Sequence, residues 1–418
     1  MSSPRILIVA ENVSARFGGE AFLPLHYFRV LRARGVPVWL LTHQRVRKEL
    51  EELFPDAGEH MLFVPDTKLQ VLLHKAGKKL PTRIQSFTTH FLVQLISERM
   101  QRKIAREIVA TEKITVIHQP TPVSPRLPSG MYKVNAPVLI GPMNGGMTFP
   151  PAFSHMQSKF ENAILWVLGG TVSLAQRIFP GKRKAALLLV SNQRTREALP
   201  PILRKVPVQE LVENGVDQSR FKLVPRETVD PNKVTFAFVG RLISLKAVDI
   251  IFEALAGLES SVEVHMELFG DGEERQALEE LAAELGLQDR VVFHGFMAQT
   301  DVAKKLGQLD GLVLASLHEC GGAVVLEAMA MGLPAIATNW GGPADYLDPS
   351  CGILLDPKSR ESLVQEFRAS MKLLAENPDK RAEMGKAGRA KVAAEFDWEA
   401  KVDAMMDIYR SLETGQTH

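Results

Sequence analysis

The chain is poor in cysteine. Only Cys320 and Cys351 occur in 418 residues, too few for a disulfide framework, and a reducing cytosol suits that count. It also lacks any apolar run of the roughly 20 residues needed to span a bilayer. The longest candidate, Ala163 to Leu174, is shorter and reads as a buried helix. The start, Met-Ser-Ser-Pro-Arg before Ile-Leu-Ile-Val-Ala, meets Glu11 too soon for a signal peptide. No second Cys/His pair has zinc-finger spacing, so Cys320 beside His318 and Glu319 reads as structural and no metal site is expected. No Asp-x-Asp motif, short internal repeat or low-complexity segment occurs.

What is present is ordinary globular material, 45% apolar and 23% charged, long enough for two domains. A net charge of +2 conceals an asymmetry. Residues 1–207 hold 29 Lys+Arg against 13 Asp+Glu, and the remainder holds 21 against 35. The change of sign places a boundary near residue 207 and suggests that the first half meets something anionic. The window from Lys68 to Arg106 carries nine Lys/Arg and one Glu. Its apolar residues are interleaved, and Lys75, Lys78, Lys79 and Arg83 form its densest cluster. Such a stretch lies on an anionic membrane surface or forms an ordinary core-facing helix, and the pattern alone leaves both open.

Short β-rich runs alternate with helical patterns in both halves. The runs are Arg5–Ala10, Val36–Leu41, Ile114–His118, Pro137–Gly141 and Ala186–Val190, then Val234–Gly240, Val262–Phe269, Arg290–His294, Gly311–Ala315, Pro334–Thr338 and Gly352–Leu355. This alternation predicts an α/β chain with two parallel sheets. Ligands of such sheets bind beyond the strand C-termini. The informative residues fall there: Gly18, Gly19, His118, Gly145, Gly146, Gly240, Arg241, Gly270, His294 and Glu319.

One stretch stands apart. Glu319 and Glu327 lie eight residues apart, separated by Gly321, Gly322 and an apolar run that continues to Gly332. The run predicts a buried helix starting near Gly322. Within it, Glu327 is costly unless hydrogen-bonded. Glycines beside Glu319 admit close approach to the backbone, and a helix N-terminus is an anion site. The pattern suits a ligand with phosphate at one end and hydroxyls for carboxylates to grip. Arg241 and Lys246, past the end of another run, could clamp a diphosphate.

In order along the second half come Gly240-Arg241-Leu242, Lys246, Phe269-Gly-Asp-Gly272, His294-Gly295-Phe296, Glu319 to Glu327, and Gly341-Gly342-Pro-Ala-Asp345. This set resembles the donor-binding domain of family 4 glycosyltransferases, retaining enzymes of GT-B architecture. The resemblance covers Val234 to Tyr409 well and weakens before Leu187. It implies two Rossmann-like domains facing a cleft: 1–207 on the acceptor side, 208–395 for the nucleotide-sugar donor, and a crossover helix in 396–418 that returns to the first domain. Arg241 and Lys246 would hold the diphosphate. Glu319 would contact sugar hydroxyls, helped by the amides of Gly321, Gly322 and Ala323, while Val324 and Val325 would offer amides to phosphate. Glu327 would bind the ribose, and Phe296 and the Gly270–Gly272 turn would border the base. Gly240, and the Gly18-Gly19 loop in the first half, would approach the donor. His118, at a strand end, resembles the family's histidine near the reacting centre. Asn144, Gly145 and Gly146 could line the acceptor side or form a plain turn.

The chain departs from the family at Ala247, where Lys-Gly is usual for Lys246-Ala247. It departs also at Cys320-Gly321, where a Gly-aromatic pair is common, and at Asp345, where Glu is common. The implied activity is retaining hexosyl transfer from a nucleotide-diphosphate sugar, UDP favoured over GDP, to a hydroxyl on a glycan, lipid-linked glycan or small molecule. Neither cofactor nor metal is expected, and the place is cytoplasmic, with peripheral contact at the inner face of an anionic membrane a further option. Two alternatives are a nucleotide-sugar 2-epimerase on the same architecture and a non-enzymatic polyanion-binding protein. No nucleic-acid motif supports the latter.

Overall fold

The computed structural model describes residues 3–17, 19–77, 91–156, 172–221, 223, 230, 232–261 and 263–415. Gly18, most of the Lys75–Arg83 cluster and most of the Ala163–Leu174 run lie outside them; Leu174 itself is exposed.

Thirteen strands are described: β1 (Ile6–Val9), β2 (Val38–His43), β3 (Met61–Val64), β4 (Val116–Gln119), β5 (Val138–Met143), β6 (Leu187–Val190), β7 (Val208–Glu210), β8 (Lys233–Val239), β9 (Glu263–Phe269), β10 (Val291–Gly295), β11 (Gly311–Leu314), β12 (Ala335–Thr338) and β13 (Gly352–Leu355). They form two sheets, ordered β3-β2-β1-β4-β5-β6-β7 and β10-β9-β8-β11-β12-β13, with every pairing between them parallel. In each sheet the order runs outward from the first strand, reverses, and continues on its other side. That is the doubly wound order, whose reversal point opens a crevice at the strand C-termini.

Both sheets read as parallel sheets should. β1, β2, β4, β5 and β6 are buried at every residue, as are β11 and β12. Helices cover both faces of such sheets, so their strands are continuously apolar rather than alternating. Leu7, Val9, Leu41, Ile117, Ile140, Leu188 and Val190 lie in one core cluster of the first sheet.

The chain divides into two compact units, one from Met1–Gly146, Ala163–Glu213 and Val402–His418, the other from Met147–Asn162 and Asn214–Lys401. The last helix, Trp398–Thr414, therefore contributes most of its length to the first unit. Its residues Val402, Met405, Ile408, Tyr409 and Leu412 are buried there. Residues 147–156 belong to the second unit. Trp340 donates from Nε1 to the Thr148 carbonyl at 2.8 Å, and the His318 ring lies 5.3 Å from that of Phe149.

Candidate functional site

In the second unit the expected donor residues collect at the C-terminal edge of its sheet, where backbone hydrogen bonds lace neighbouring loops together. Gly240 N–H donates to Phe269 O at 2.9 Å, Leu242 N–H to Asp271 O at 3.0 Å, and Gly270 N–H to Gly295 O at 2.8 Å. On the other side, Leu317 N–H donates to Leu245 O and Gly342 N–H to Glu319 O. Glycine is required at the tightest crossing. A Cβ on Gly270 would sit 1.9 Å from Gly240 O, and its φ of +143° is one that side chains rarely adopt.

Glu319 is the hub. One carboxylate oxygen pairs with the Lys246 ammonium, and the other accepts the Gly322 amide at 3.2 Å. The sequence reading gave Lys246 to phosphate and Glu319 to sugar; the fold joins them in one half-buried ion pair. Gly322, at φ +65°, turns the chain into the helix Ala323–Ala330. Val325, Leu326, Ala328, Met329 and Ala330 of that helix are buried, as its apolar pattern predicts. The structure narrows the set of free amides at its start. Val325 N–H already donates to Gly322 O at 2.9 Å, in the tight geometry of a helix's first turn, so it is not available to phosphate. Ala323 and Val324 remain.

Glu327 has the partner its setting demands. Gln299 Nε2 donates to its Oε1 at 2.7 Å. Burial raises the Glu327 carboxyl above the usual range, and the Gln299 hydrogen bond pulls the other way. Gln299 starts the helix Gln299–Leu306, three residues after Phe296, and sequence reasoning passed over it. Phe296 is 85% exposed, and His294 stacks flat on Phe269 at 4.7 Å while bonding Glu267 at 2.8 Å. Arg241 is exposed and makes no side-chain hydrogen bond or ion pair with a described residue.

Ala247 is held in the left-handed region, at φ +46° and ψ 44°. An alanine there costs about 1–2 kcal/mol relative to its ordinary backbone. The departure from Lys-Gly thus puts a methyl group on a left-handed turn after Lys246. Cys320 is half-buried. Asp345 lies in the first turn of the helix Gly342–Tyr346, the acidic end that a helix dipole favours. Among the described residues no group of three or more His, Cys, Asp and Glu is arranged to hold a metal ion.

The first unit treats its expected residues differently. His118 is fully buried. Its Nε2 lies 2.7 Å from the Gly141 carbonyl and its Nδ1 2.7 Å from the Tyr409 hydroxyl. A carbonyl only accepts, so Nε2 carries the proton, Nδ1 accepts, and Tyr409 donates. Desolvation dominates and lowers the His118 pKa to about 4, against an upward pull from Gly141. Both nitrogens are engaged inside the unit, and the neutral imidazole links β4 to the last helix.

Asn144 is likewise buried and donates to Glu213 Oε1. Gly145 N–H donates to Thr195 Oγ1 at 3.1 Å, and a Cβ on Gly146 would meet Arg194 O at 2.9 Å. These three residues form a packed turn on the helix Gln193–Glu197, which Asn192 caps through the Thr195 amide at 2.9 Å. Gly19 has φ +53° with open space around it. The loop before it is pinned by Glu49, which accepts from Ser14 Oγ and Ala15 N–H, both at 2.7 Å.

The family described as Glycosyl transferases group 1 matches residues 219–391. The lipopolysaccharide core biosynthesis glycosyltransferase LpsE of Rhizobium meliloti is 33% identical over 174 residues, 41% of this chain and 48% of that protein. A D-inositol 3-phosphate glycosyltransferase of Mycobacterium marinum is 32% identical over 237 residues, 54% of this chain and 50% of its own. The chain spans about half the length of the curated relatives it matches. Among solved structures, HepE of Anabaena, in complex with UDP, superposes with a TM-score of 0.66 at 19% identity, covering 97% of this chain and all of that one. Sucrose-phosphate synthase of Thermosynechococcus elongatus gives 0.65 at 20% identity, covering 99% and 100%. With the two doubly wound units, these likenesses give the chain a GT-B fold and give residues 219–391 a match to the group 1 glycosyltransferases.

Proposed function

We propose that this chain transfers a hexosyl group from a nucleotide-diphosphate sugar, UDP favoured as the nucleotide, to an acceptor hydroxyl, with retention of configuration and without a metal ion. The observation that carries the reading is the Lys246–Glu319 pair held at the start of the Ala323–Ala330 helix. A cation from the loop after β8 meets a carboxylate and two free amides of the loop after β11, with Arg241, which has no side-chain partner among the described residues, on the same sheet edge. Phosphate is recognised by such amides and cations, sugar hydroxyls by such a carboxylate.

In this mechanism Arg241 and Lys246 stabilise charge as it develops on the leaving diphosphate. Glu319 orients the sugar and holds Lys246 in place, and Glu327 grips the ribose from its seat against Gln299. The departing phosphate takes the acceptor proton, so no covalent carboxylate is needed. Proteins of the same fold solved with UDP and with UDP-glucose support the choice of nucleotide. The relatives that act on lipopolysaccharide core and on inositol phosphate support a hydroxyl acceptor.

Titration calorimetry with UDP and GDP in excess EDTA tests the donor side. Binding of UDP without divalent metal is expected, and binding that needs magnesium or manganese overturns the metal-free reading. The anomeric configuration of the product, read by NMR, decides retention.

A further inference from the structure

Two helical segments of the first unit each bury a glutamine and expose two apolar side chains. In Lys68–Gly77, Gln70 is 1% exposed, whereas Leu69 and Leu72 are 53% and 63% exposed. In the helical residues 172–178, Gln176 is fully buried, whereas Leu174 and Ile178 are 56% and 58% exposed. Leu69 and Leu72 share a face at i, i+3 spacing, and Leu174 and Ile178 at i, i+4. A surface helix of a water-soluble domain does the reverse.

The buried glutamines are anchored under one edge. Gln70 closes a capping box with Thr67 and donates to Ser97 at 2.8 Å. Next to Ser97, Glu98 accepts Gly130 N–H at 2.6 Å and Gln119 Nε2 at 3.3 Å, where β4 ends. Gln176 donates to the Arg126 carbonyl in the loop that follows β4. Both helices therefore hang from the C-terminal edge of the first sheet. Phe17, in the loop after β1, is 60% exposed on that edge too.

The charges around these side chains have one free sign. Lys68–Gly77 and residues 172–178 contain no acid. Lys68 and Arg177 are exposed and make no hydrogen bond or ion pair with a described residue. The acids nearby are engaged: Asp66 lies 3.3 Å from His43 Nε2, and Glu20 accepts Val123 N–H at 3.3 Å.

We propose that this edge of the first unit rests on an anionic bilayer surface, with Leu69, Leu72, Leu174, Ile178 and Phe17 entering the interfacial layer and Lys68 and Arg177 facing the headgroups. Apolar side chains beside unpaired cations are what such a layer binds. The inference goes beyond the donor reading and does not depend on it.

Sedimentation of the full chain with vesicles tests it, comparing phosphatidylglycerol mixed into phosphatidylcholine with phosphatidylcholine alone, at low and high salt. Binding to the anionic vesicles, weakened by salt, is expected. Leu69→Asn with Leu72→Asn, or Leu174→Asn with Ile178→Asn, should each weaken it on the order of tenfold. Lys68→Gln with Arg177→Gln should flatten the salt dependence. These positions are exposed, so melting temperatures should hold; a variant that fails to fold is replaced by Leu→Ser at the same sites. UDP calorimetry on the same variants should be unchanged. Loss of UDP binding in the unaltered chain would fell the donor reading and leave this one standing. No vesicle binding, or variants that bind like the unaltered chain, overturns the proposal. A concentration-dependent dimer that these variants dissolve, with no vesicle binding, overturns it in favour of a second copy.

Discussion

Replacing Tyr409 with Phe removes one oxygen from the first unit and leaves the packing volume nearly unchanged. That oxygen donates to His118 Nδ1 at 2.7 Å in a fully buried setting. The imidazole cannot turn to another partner, because Nε2–H is held by Gly141 O at 2.7 Å. A buried acceptor is left bare, at a cost of about 1–3 kcal/mol. The same histidine sets a pH dependence. Its pKa is about 4 in the fold, below the unfolded value of 6.5. Above pH 6.5 both states are neutral and its stability contribution is complete. As pH falls from 6.5 to 4, the unfolded chain takes up a proton that the folded one refuses, and stability declines. Each pH unit is worth about 1.4 kcal/mol, so the whole decline is about 3 kcal/mol. Hydrogen exchange of β4 amides, followed by mass spectrometry, reads the first unit apart from the second. Tyr409→Phe should speed that exchange by the equivalent of about 1–3 kcal/mol at pH 8, with UDP affinity unchanged. Unaltered β4 protection would refute the buried-acceptor argument. Lost UDP affinity in a folded Tyr409→Phe protein would put His118 at the ligand site.

Arg241→Ala should lower turnover about 10²–10³-fold without moving the melting temperature, because Arg241 is exposed and has no side-chain partner among the described residues. Steady-state rates and a thermal melt check both halves of that statement. Glu319→Ala should cost turnover and also weaken UDP binding, since it releases Lys246; calorimetry that finds full UDP affinity would break the proposed coupling. Gly270→Ala places a Cβ against Gly240 O at a φ that alanine avoids, and should cost about 3 kcal/mol or more, seen in urea unfolding of the second unit.

Much of the architecture was legible because parallel strands advertise themselves. Leu187–Val190 and Gly311–Leu314 are short apolar runs, buried at every residue as a two-sided parallel sheet requires. The strands that escaped notice are Met61–Val64 and Val208–Glu210, at the two edges of the first sheet. An edge strand needs less burial; Val208–Glu210 has two polar residues in three, so periodicity has nothing to detect. At the candidate site, the start of the Ala323–Ala330 helix was readable because Gly322 and the apolar run are local signals. The partnerships were not. Lys246 and Glu319 lie 73 residues apart, Gln299 and Glu327 28, and His118 and Tyr409 291. No spacing in the chain marks such pairs, and the second partner of His118 comes from the last helix. The amide of Val325 was counted as free because sequence does not show which first-turn amides a helix closes on itself.

That last helix has a consequence for synthesis. The first unit is discontinuous: it opens the chain and is finished by residues from Val402 onward. Until Tyr409 has left the ribosome, β4 lacks the hydroxyl that its histidine needs. The second unit, by contrast, has all six of its strands once residue 355 is made. A chain read from its N-terminus should therefore complete its first-begun unit last, with the first unit's apolar sheet incompletely covered in the meantime. Ribosome-bound chains halted shortly before and after residue 409 would differ in how readily protease cuts the first unit, and the order of completion would be the reverse of the order of synthesis.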